Sequence, residues 1–404
     1  MTTAQERVRY RTVLANREFA AVFAAQNLSL LGDQLARIAL AILVYDRTGS
    51  ALQASATYAV SYMAYLIGGP LLSGVADRYP RLVVMVACDL LRAPLVLVLC
   101  VSGLPLASVF LIVGVLGVMG PAFDSARSAL QPDLLAGEAY VVGNSLFSIT
   151  TQLSQVLGFV LGGTVVAATS TRGALGLDAA TFLLSAALLL RHLRSRPSAQ
   201  SEVGSFFTDT ANGLRLVVAT PRLRALLLCA VVASVSSTST EGLAVAVAHQ
   251  LHHGSLAVGI LTATSPAGFV LGSLLVIRAP AESRERLMPL LLVLSAAPLL
   301  LTPVAPGLVP VVALWVLAGA GATVNLIAGP AFVQSTPAEY RGRAYGVASA
   351  SLMSAQGAGL LLAGYLATLV APRTSVAVLA AVMLVLALPL LRAQGLGRTV
   401  RDVT

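Results

Sequence analysis

Asp33, Arg37, Asp89, Arg92 and Glu241 are ionisable side chains inside long apolar runs, and they are the residues of this sequence best placed to do chemistry. Asp33 and Arg37 lie one helical turn apart in the stretch 19–45, Asp89 and Arg92 three residues apart in 82–101, and Glu241 in 224–248. The i,i+4 and i,i+3 spacings put each Asp–Arg set on one helix face. A charge at the centre of a bilayer costs about 2.5–3.5 kcal/mol even on the lenient insertion scale, so such residues persist where they pair, line water or bind ions. A carboxyl withdrawn from water holds a proton more readily, and a neighbouring Arg opposes this. The chemistry on offer is reversible protonation, with no covalent step. Asp33, with Arg37 as a switchable partner, and Glu241, with no obvious cation near it in its own span, are the proton-coupling candidates. Asp89 and Arg92 read as a structural charge pair.

Uncharged polar residues in the same runs supply the means to hold a ligand. Glu241 follows Ser234-Val235-Ser236-Ser237-Thr238-Ser239-Thr240, a run too polar to face lipid, which points to an aqueous chamber. Asn27, Ser237 and Asn325 are candidate contacts there, although amides and hydroxyls within spans also serve as inter-helix glue. Tyr58, Tyr62 and Tyr65 share a helix face able to stack on an aromatic ligand, with helix packing as the competing reading. Trp315, the sole Trp, reads equally as an interface anchor or a chamber wall.

Other chemistries lack their residues. All 26 basic residues are Arg, so a Walker loop with its Lys is absent. No HExxH or GxSxG occurs, and an enzyme is not expected. Cys88, Cys100 and Cys229 are odd in number and lie in apolar runs, so they imply neither disulfides nor zinc. His249, His252 and His253 have no acidic residue or Cys close by in sequence, and a solvated loop is expected rather than a metal site. The net charge of +9 is scattered through short loops and forms no basic face, which argues against nucleic acid.

The elements that must position these residues are membrane helices. The chain has 404 residues, 57% of them hydrophobic and 11% charged, against about 25% charged in soluble domains. Lipid must solvate most of its exterior. A span needs about 20 apolar residues, and the sequence divides into twelve: 19–45, 53–76, 82–101, 105–126, 140–168, 173–191, 224–248, 255–278, 287–304, 308–332, 344–370 and 374–392. The first apolar run is longer than the roughly 7–15 residues of a signal core. With the N-terminus inside, 21 Arg fall in inner segments and three, Arg47, Arg172 and Arg373, in outer loops. The positive-inside rule therefore places both termini in the cytoplasm of a cell whose inner membrane holds the protein.

The spans fall into two halves. Gly120-Pro121-Ala122-Phe123 recurs as Gly329-Pro330-Ala331-Phe332, and Asp33-Gln34-Leu35-Ala36 aligns with Glu241-Gly242-Leu243-Ala244 at nearly the same offset. The expected organisation is a six-helix bundle over 1–190, a cytoplasmic linker with an amphipathic segment over 191–223, and a second six-helix bundle over 224–404. Parallel repeats of this kind form transporters, with the substrate site at the repeat interface near the midplane.

The loop after the second span reads Gly74-Val75-Ala76-Asp77-Arg78-Tyr79-Pro80-Arg81. With twelve spans and a central linker, it resembles the signature loop of the major facilitator superfamily, in which Asp77, Arg78 and Arg81 match. Gly74 stands one residue late, Pro80 replaces the second Gly and Leu82 the last Arg. The resemblance implies a cytoplasmic latch. Leu31-Gly32-Asp33, Asp89-Leu90-Leu91-Arg92-Ala93, Ala126-Arg127-Ser128-Ala129-Leu130-Gln131-Pro132, Asp178-Ala179-Ala180-Thr181-Phe182 and Arg341-Gly342-Arg343 resemble the drug–proton antiporter branch that includes macrolide and enterobactin exporters. Gly158, Gly162 and Gly163 resemble that branch's antiporter helix motif, with Phe159 in place of its Pro. Span 4 lacks the embedded Arg many such antiporters use, so coupling would run through other residues.

The resulting expectation is an all-α membrane protein of twelve transmembrane helices in two pseudo-symmetric six-helix bundles, the major facilitator fold. Its expected function is proton-coupled efflux of a small amphiphilic compound, a drug, antibiotic or siderophore-like metabolite, by alternating access. A lipid or lysolipid transporter of the same fold is the alternative. The proton gradient is the energy source and no cofactor is expected. The expected partners are a small-molecule substrate and the bilayer, and the expected state is a monomer.

Overall fold

The computed structural model describes residues 10–194, 196 and 206–401. Among them every regular element is helical: α1 (Tyr10–Leu14), α2 (Arg17–Thr48), α3 (Ala51–Arg78), α4 (Arg81–Leu99), α5 (Leu106–Leu134), α6 (Glu138–Ala168), α7 (Thr171–His192), α8 (Phe206–Ala219), α9 (Pro221–Gln250), α10 (Ser255–Arg278), α11 (Ala281–Leu294), a 3-10 segment (Ala297–Val304), α12 (Leu308–Gly321), α13 (Val324–Gln334), a 3-10 turn (Ala338–Tyr340), α14 (Arg341–Leu369) and α15 (Pro372–Arg401). Eleven segments among the described residues are long and apolar enough to cross a membrane. The 28-residue α3 occupies the place of the remaining expected span. A backbone in hydrocarbon must satisfy its own N–H and C=O groups, which leaves the helix as the economical choice for this composition.

The ninth span departs from a single helix. It is α11 followed by the 3-10 segment, because Pro298 and Pro303 lack the N–H groups an α-helix needs there. Arg373, in the first turn of α15, caps the end of this segment. Its Nε and Nη2 donate to Thr302 O at 3.0 and 2.9 Å, and Nη2 also donates to Ala305 O. The turn into α12 passes through Gly307, whose φ of +98° excludes residues with a Cβ. The tenth span is likewise broken, into α12 and α13 at Ala322–Thr323.

Contacts divide the chain into two units, Met1–Ala39 with Ala64–Val203, and Leu40–Met63 with Gly204–Thr404. In the first, α4 packs against α5 and α7, over a core that includes Phe19, Met85, Phe123, Leu130 and Phe147. Phe19, Phe23 and Phe147 meet with ring centroids 5.3–6.1 Å apart, in the stacked and edge-on geometries aromatic pairs favour. The linker's start is tied to this unit by Arg196, whose Nη1 donates to Glu18 at 2.7 Å.

In the second unit α9 is central, packing on α10, α13, α14 and α15, and its residues 242–248 are all buried. Helix α8, in the stretch expected as a linker, lies against α14: a Cβ on Gly213 would stand 2.7 Å from Arg343 O. The side chains of Phe206 and Phe207 lie outside the described residues.

Candidate functional site

In the first unit a polar cluster is built from α2, α4 and α7. Asp89 is 0% and Asp178 1% exposed, and Arg92 is buried beside them. Ser185 Oγ donates to Asp89 Oδ2 at 2.6 Å. The Arg92 guanidinium lies 6.0 Å from the Phe123 ring centroid and 5.6 Å from that of Phe182, a cation–π setting that holds a desolvated cation. Asp89 and Arg92 therefore share a helix face as expected but make no direct ion pair: Asp89 turns to α7, and Arg92 inserts among aromatic rings. Asp89 Oδ1, Arg92 Nε and Asp178 Oδ1 are buried with no hydrogen-bond partner among the described residues.

Asp33 reaches this cluster from α2. The charges that act on it are Arg92, Arg37 and, of like sign, Asp124. Its neighbour Gly32 is the close point between α2 and α7, since a Cβ there would strike Thr181 Oγ1 and Asp178 Oδ1. Asp178 was missing from the sequence-derived candidates. It was legible as part of the Asp178–Phe182 stretch, but its place beside Asp33 depends on how two helices distant in sequence approach. Nearby, Asp124 Oδ2 accepts from Tyr65 Oη at 2.9 Å, and its Oδ1 lies 3.8 Å from Arg127 Nε.

One stability test follows from the Asp89 contact. Ser185→Ala removes the hydroxyl donor of a carboxyl group with no exposure, and leaving a buried polar group short of its partner costs about 1–3 kcal/mol. We expect the thermal transition of the purified protein to fall, and Ser185→Thr, which keeps the hydroxyl, to fall less.

In the second unit the polar run of α9 is divided by the helix itself. Ser236, Thr238, Ser239 and Thr240 are buried, and their hydroxyls donate to carbonyls of the preceding turn at 2.7–3.3 Å. This back-bonding lets hydroxyls enter an apolar interior. Ser234, Ser237 and Glu241 are the members left half-buried. Their spacing places them on one face, so the polar residues that are not fully buried form a narrow stripe rather than the whole run. Asn325 of α13 joins it, with Nδ2 donating to Ser234 Oγ at 3.3 Å. Ser237 Oγ and Asn325 Oδ1 have no hydrogen-bond partner among the described residues. Just beyond Glu241, Ser55 Oγ of α3 donates to Gly242 O at 2.8 Å.

The other predicted residues take mixed positions. Asn27 Nδ2 donates to Phe23 O at 2.7 Å, and its Oδ1 accepts from Ser154 Oγ at 3.1 Å, linking α2 to α6. Tyr58 is 2% exposed, Tyr62 half-buried and Tyr65 38% exposed, so exposure rises along their shared face. Trp315 is 1% exposed and its Nε1 donates to Thr302 Oγ1 at 3.2 Å. Gly158 and Gly162 bring α6 onto α2, where added Cβ atoms would stand 2.7 Å from Gln34 Cβ and 3.2 Å from Leu35 Cα. Gly163 and Phe159 are buried on the same helix. In the latch segment Arg78 is exposed, and Arg81 pairs with Asp133, tying the start of α4 to the end of α5. Gly74 and Asp77 lie outside the residues whose side chains are described. His249 Nε2 lies 3.8 Å from Asp46 Oδ1, and its ring 4.8 Å from that of Tyr45. No group of three metal-ligating side chains occurs among the described residues.

Comparison with known proteins agrees with this architecture. The Major Facilitator Superfamily family model matches residues 22–243 and 226–398. The multidrug efflux pump Tap of Mycobacterium bovis is 27% identical over 388 residues, covering 89% of this chain and 87% of Tap. The lysophospholipid transporter LplT of Yersinia pestis is 26% identical over 202 residues, covering 48% of each protein. A crystal structure of a peptide transporter, POT, superposes with a TM-score of 0.75 at 14% identity, covering 97% of this chain and 99% of that one. At that identity the likeness shows the fold alone.

Proposed function

This chain belongs to the Major Facilitator Superfamily, a multi-pass membrane transporter and not an enzyme, and from that premise we propose that it exports a small amphiphilic compound in exchange for protons by alternating access. A drug, an antibiotic or a siderophore-like metabolite is the substrate class. The observation that carries this reading is the retention of carboxylates inside spans: the half-buried Asp33 beside the buried Asp89, Arg92 and Asp178 of α4 and α7, and Glu241 on the half-buried stripe of α9. Groups so costly to place in hydrocarbon mark ion and substrate paths. Asp33, with Arg37, takes up and releases the proton, while Glu241 serves coupling or substrate contact. Tyr58, Tyr62, Ser237 and Asn325 contribute polar and aromatic contacts, with Asn27 and Trp315 beside them. The likeness to Tap over nearly the whole of both chains supports efflux.

We place the protein in the inner membrane as a monomer with both termini cytoplasmic, following its Arg distribution. Residues 1–190 and 224–404 act as the two bundles, 191–223 as their linker. Gly74, Asp77, Arg78 and Arg81 form the latch, and Gly158, Gly162 and Gly163 form the antiporter-like helix contact.

A second reading, lysolipid transport, is favoured by the half-length likeness to LplT. Both readings are tested by reconstituting the full chain in liposomes under an imposed pH gradient, with a fluorescent cationic drug in one arm and headgroup-labelled lysolipid in the other. Drug accumulation that follows the gradient and collapses with a protonophore is the expected result. Drug flux indifferent to the gradient, or movement of lysolipid alone, would overturn the proposal.

A further inference from the structure

The charges of the α2–α4–α7 cluster do not balance, with Asp89, Arg92 and Asp178 buried and Asp33 and Arg37 half-buried. Asp33, Asp89 and Asp178 all lie within the field of Arg92, and the other cation acting on the group is Arg37, through Asp33. Even with Arg37 credited wholly to this cluster, three carboxylates face two guanidinium groups. Asp124 on α5 does not alter the count, because Arg127 on the same helix stands beside it and Tyr65 of α3 donates to it. Cys88, next to Asp89, is turned to Met119 O. Helix α6, which packs on α7 and α2, has no titratable side chain beyond Glu138 and Tyr140 in its first turn. One negative charge is therefore left over in a place where uncompensated charge is strongly disfavoured.

The geometry also says where compensation belongs. Asp178 is 1% exposed and its Oδ1 has no hydrogen-bond partner among the described residues. That oxygen points at α2, since it is one of the two atoms a Cβ on Gly32 would strike. Asp33 is the residue after Gly32. Asp89, by contrast, already holds a donor from Ser185, and Arg92 is fixed between Phe123 and Phe182.

We propose that Asp33 and Asp178 hold one proton jointly across the α2–α7 contact at Gly32, so that Asp178 is a second proton-binding residue and Arg92 the countercharge that all three carboxylates share. The proton enters from water, forms an O–H bond on one carboxyl and leaves as a proton, with nothing oxidised or reduced. Its part in transport rests on the proton-coupled reading above, whereas its presence does not.

Infrared difference spectroscopy on the full-length protein in lipid nanodiscs at neutral pH tests this directly. The protonated-carboxyl band of the wild type should lose one carboxyl in Asp178→Asn and in Asp33→Asn, and gain one in Arg92→Gln. Glu241→Gln, measured alongside, separates any contribution from the second unit. A band unchanged in both Asp178→Asn and Asp33→Asn would overturn the proposal, as would a band present only when sodium is removed. Should Arg92→Gln fail to fold, the two near-isosteric Asn variants still decide. In liposomes Asp178→Asn should flatten the pH dependence of flux while leaving substrate KM within about twofold, and Asp178→Glu should restore it; a purely packing role would not produce that split. A wild type with the band but without pH-driven flux would defeat proton coupling and leave the proton site standing.

Discussion

Asp33→Asn should abolish the ability of a pH gradient to concentrate substrate while sparing passive exchange. One pH unit across the membrane is worth about 1.4 kcal/mol per proton, so a carrier exchanging one proton per substrate would build a gradient of about tenfold. Removing the carboxyl that takes up the proton should bring that ratio to about one. Asparagine keeps the size of the side chain and leaves the close approach of α2 to α7 at Gly32 untouched, so the protein should remain folded. Glu241→Gln separates the two roles proposed for that residue. If Glu241 shares in coupling, the same collapse follows. If it contacts the substrate, the gradient survives and KM for cationic compounds rises. The measurement is drug accumulation in liposomes at matched protein content, with and without a pH step. An unaltered pH response in both variants would remove these residues from the mechanism.

The second large effect concerns the seam of α10 and α12. A Cβ on Gly319 would collide with the backbone of Ser265, and one on Gly268 with the backbone of Val316, Gly319 and Ala320. These are backbone-to-backbone approaches, so no side chain can rotate away. Membrane helices associate through such close packing because lipid supplies no hydrophobic force between them. Gly319→Ala should destabilise the protein by about 1–3 kcal/mol, in the range of overpacked cores, and Gly319→Val by more. Gly329→Ala is the control, since a Cβ there meets nothing within 4 Å. Detergent-resistant monodisperse protein after a heating series, read by fluorescence-detected size exclusion, should rank wild type and Gly329→Ala together, then Gly319→Ala, then Gly319→Val. Equal stability of the two Ala variants would contradict the packing described for this seam.

The sequence by itself determined the helical class, the number of spans and the family. Its hydropathy leaves no other solvent than lipid, and hydrocarbon leaves the backbone no other local partner than its own helix. Asp33, Asp89, Arg92 and Glu241 could be singled out for the same reason, because a charge within an apolar run is visible one residue at a time. The broken ninth span is half legible: Pro298 and Pro303 are there to be read, but the 3-10 turn and the Arg373 side chain that closes it arise only when the start of α15, distant in sequence, packs against it.

What only the tertiary structure decided is which polar groups meet. Asp89 and Arg92 look like partners at i,i+3, yet α7 offers Ser185 to one while Phe123 and Phe182 surround the other. The run from Ser234 to Thr240 looks like one polar surface, yet four of its hydroxyls are bound to their own helix and only Ser234 and Ser237 remain on the half-buried stripe with Glu241. Asp178 gained its significance only from the approach of α2 at Gly32. Periodicity along a chain records the preference of each segment for its solvent. Pairing energies between segments depend on distances that no single segment contains, and in a low-dielectric interior those distances decide which charges are neutralised.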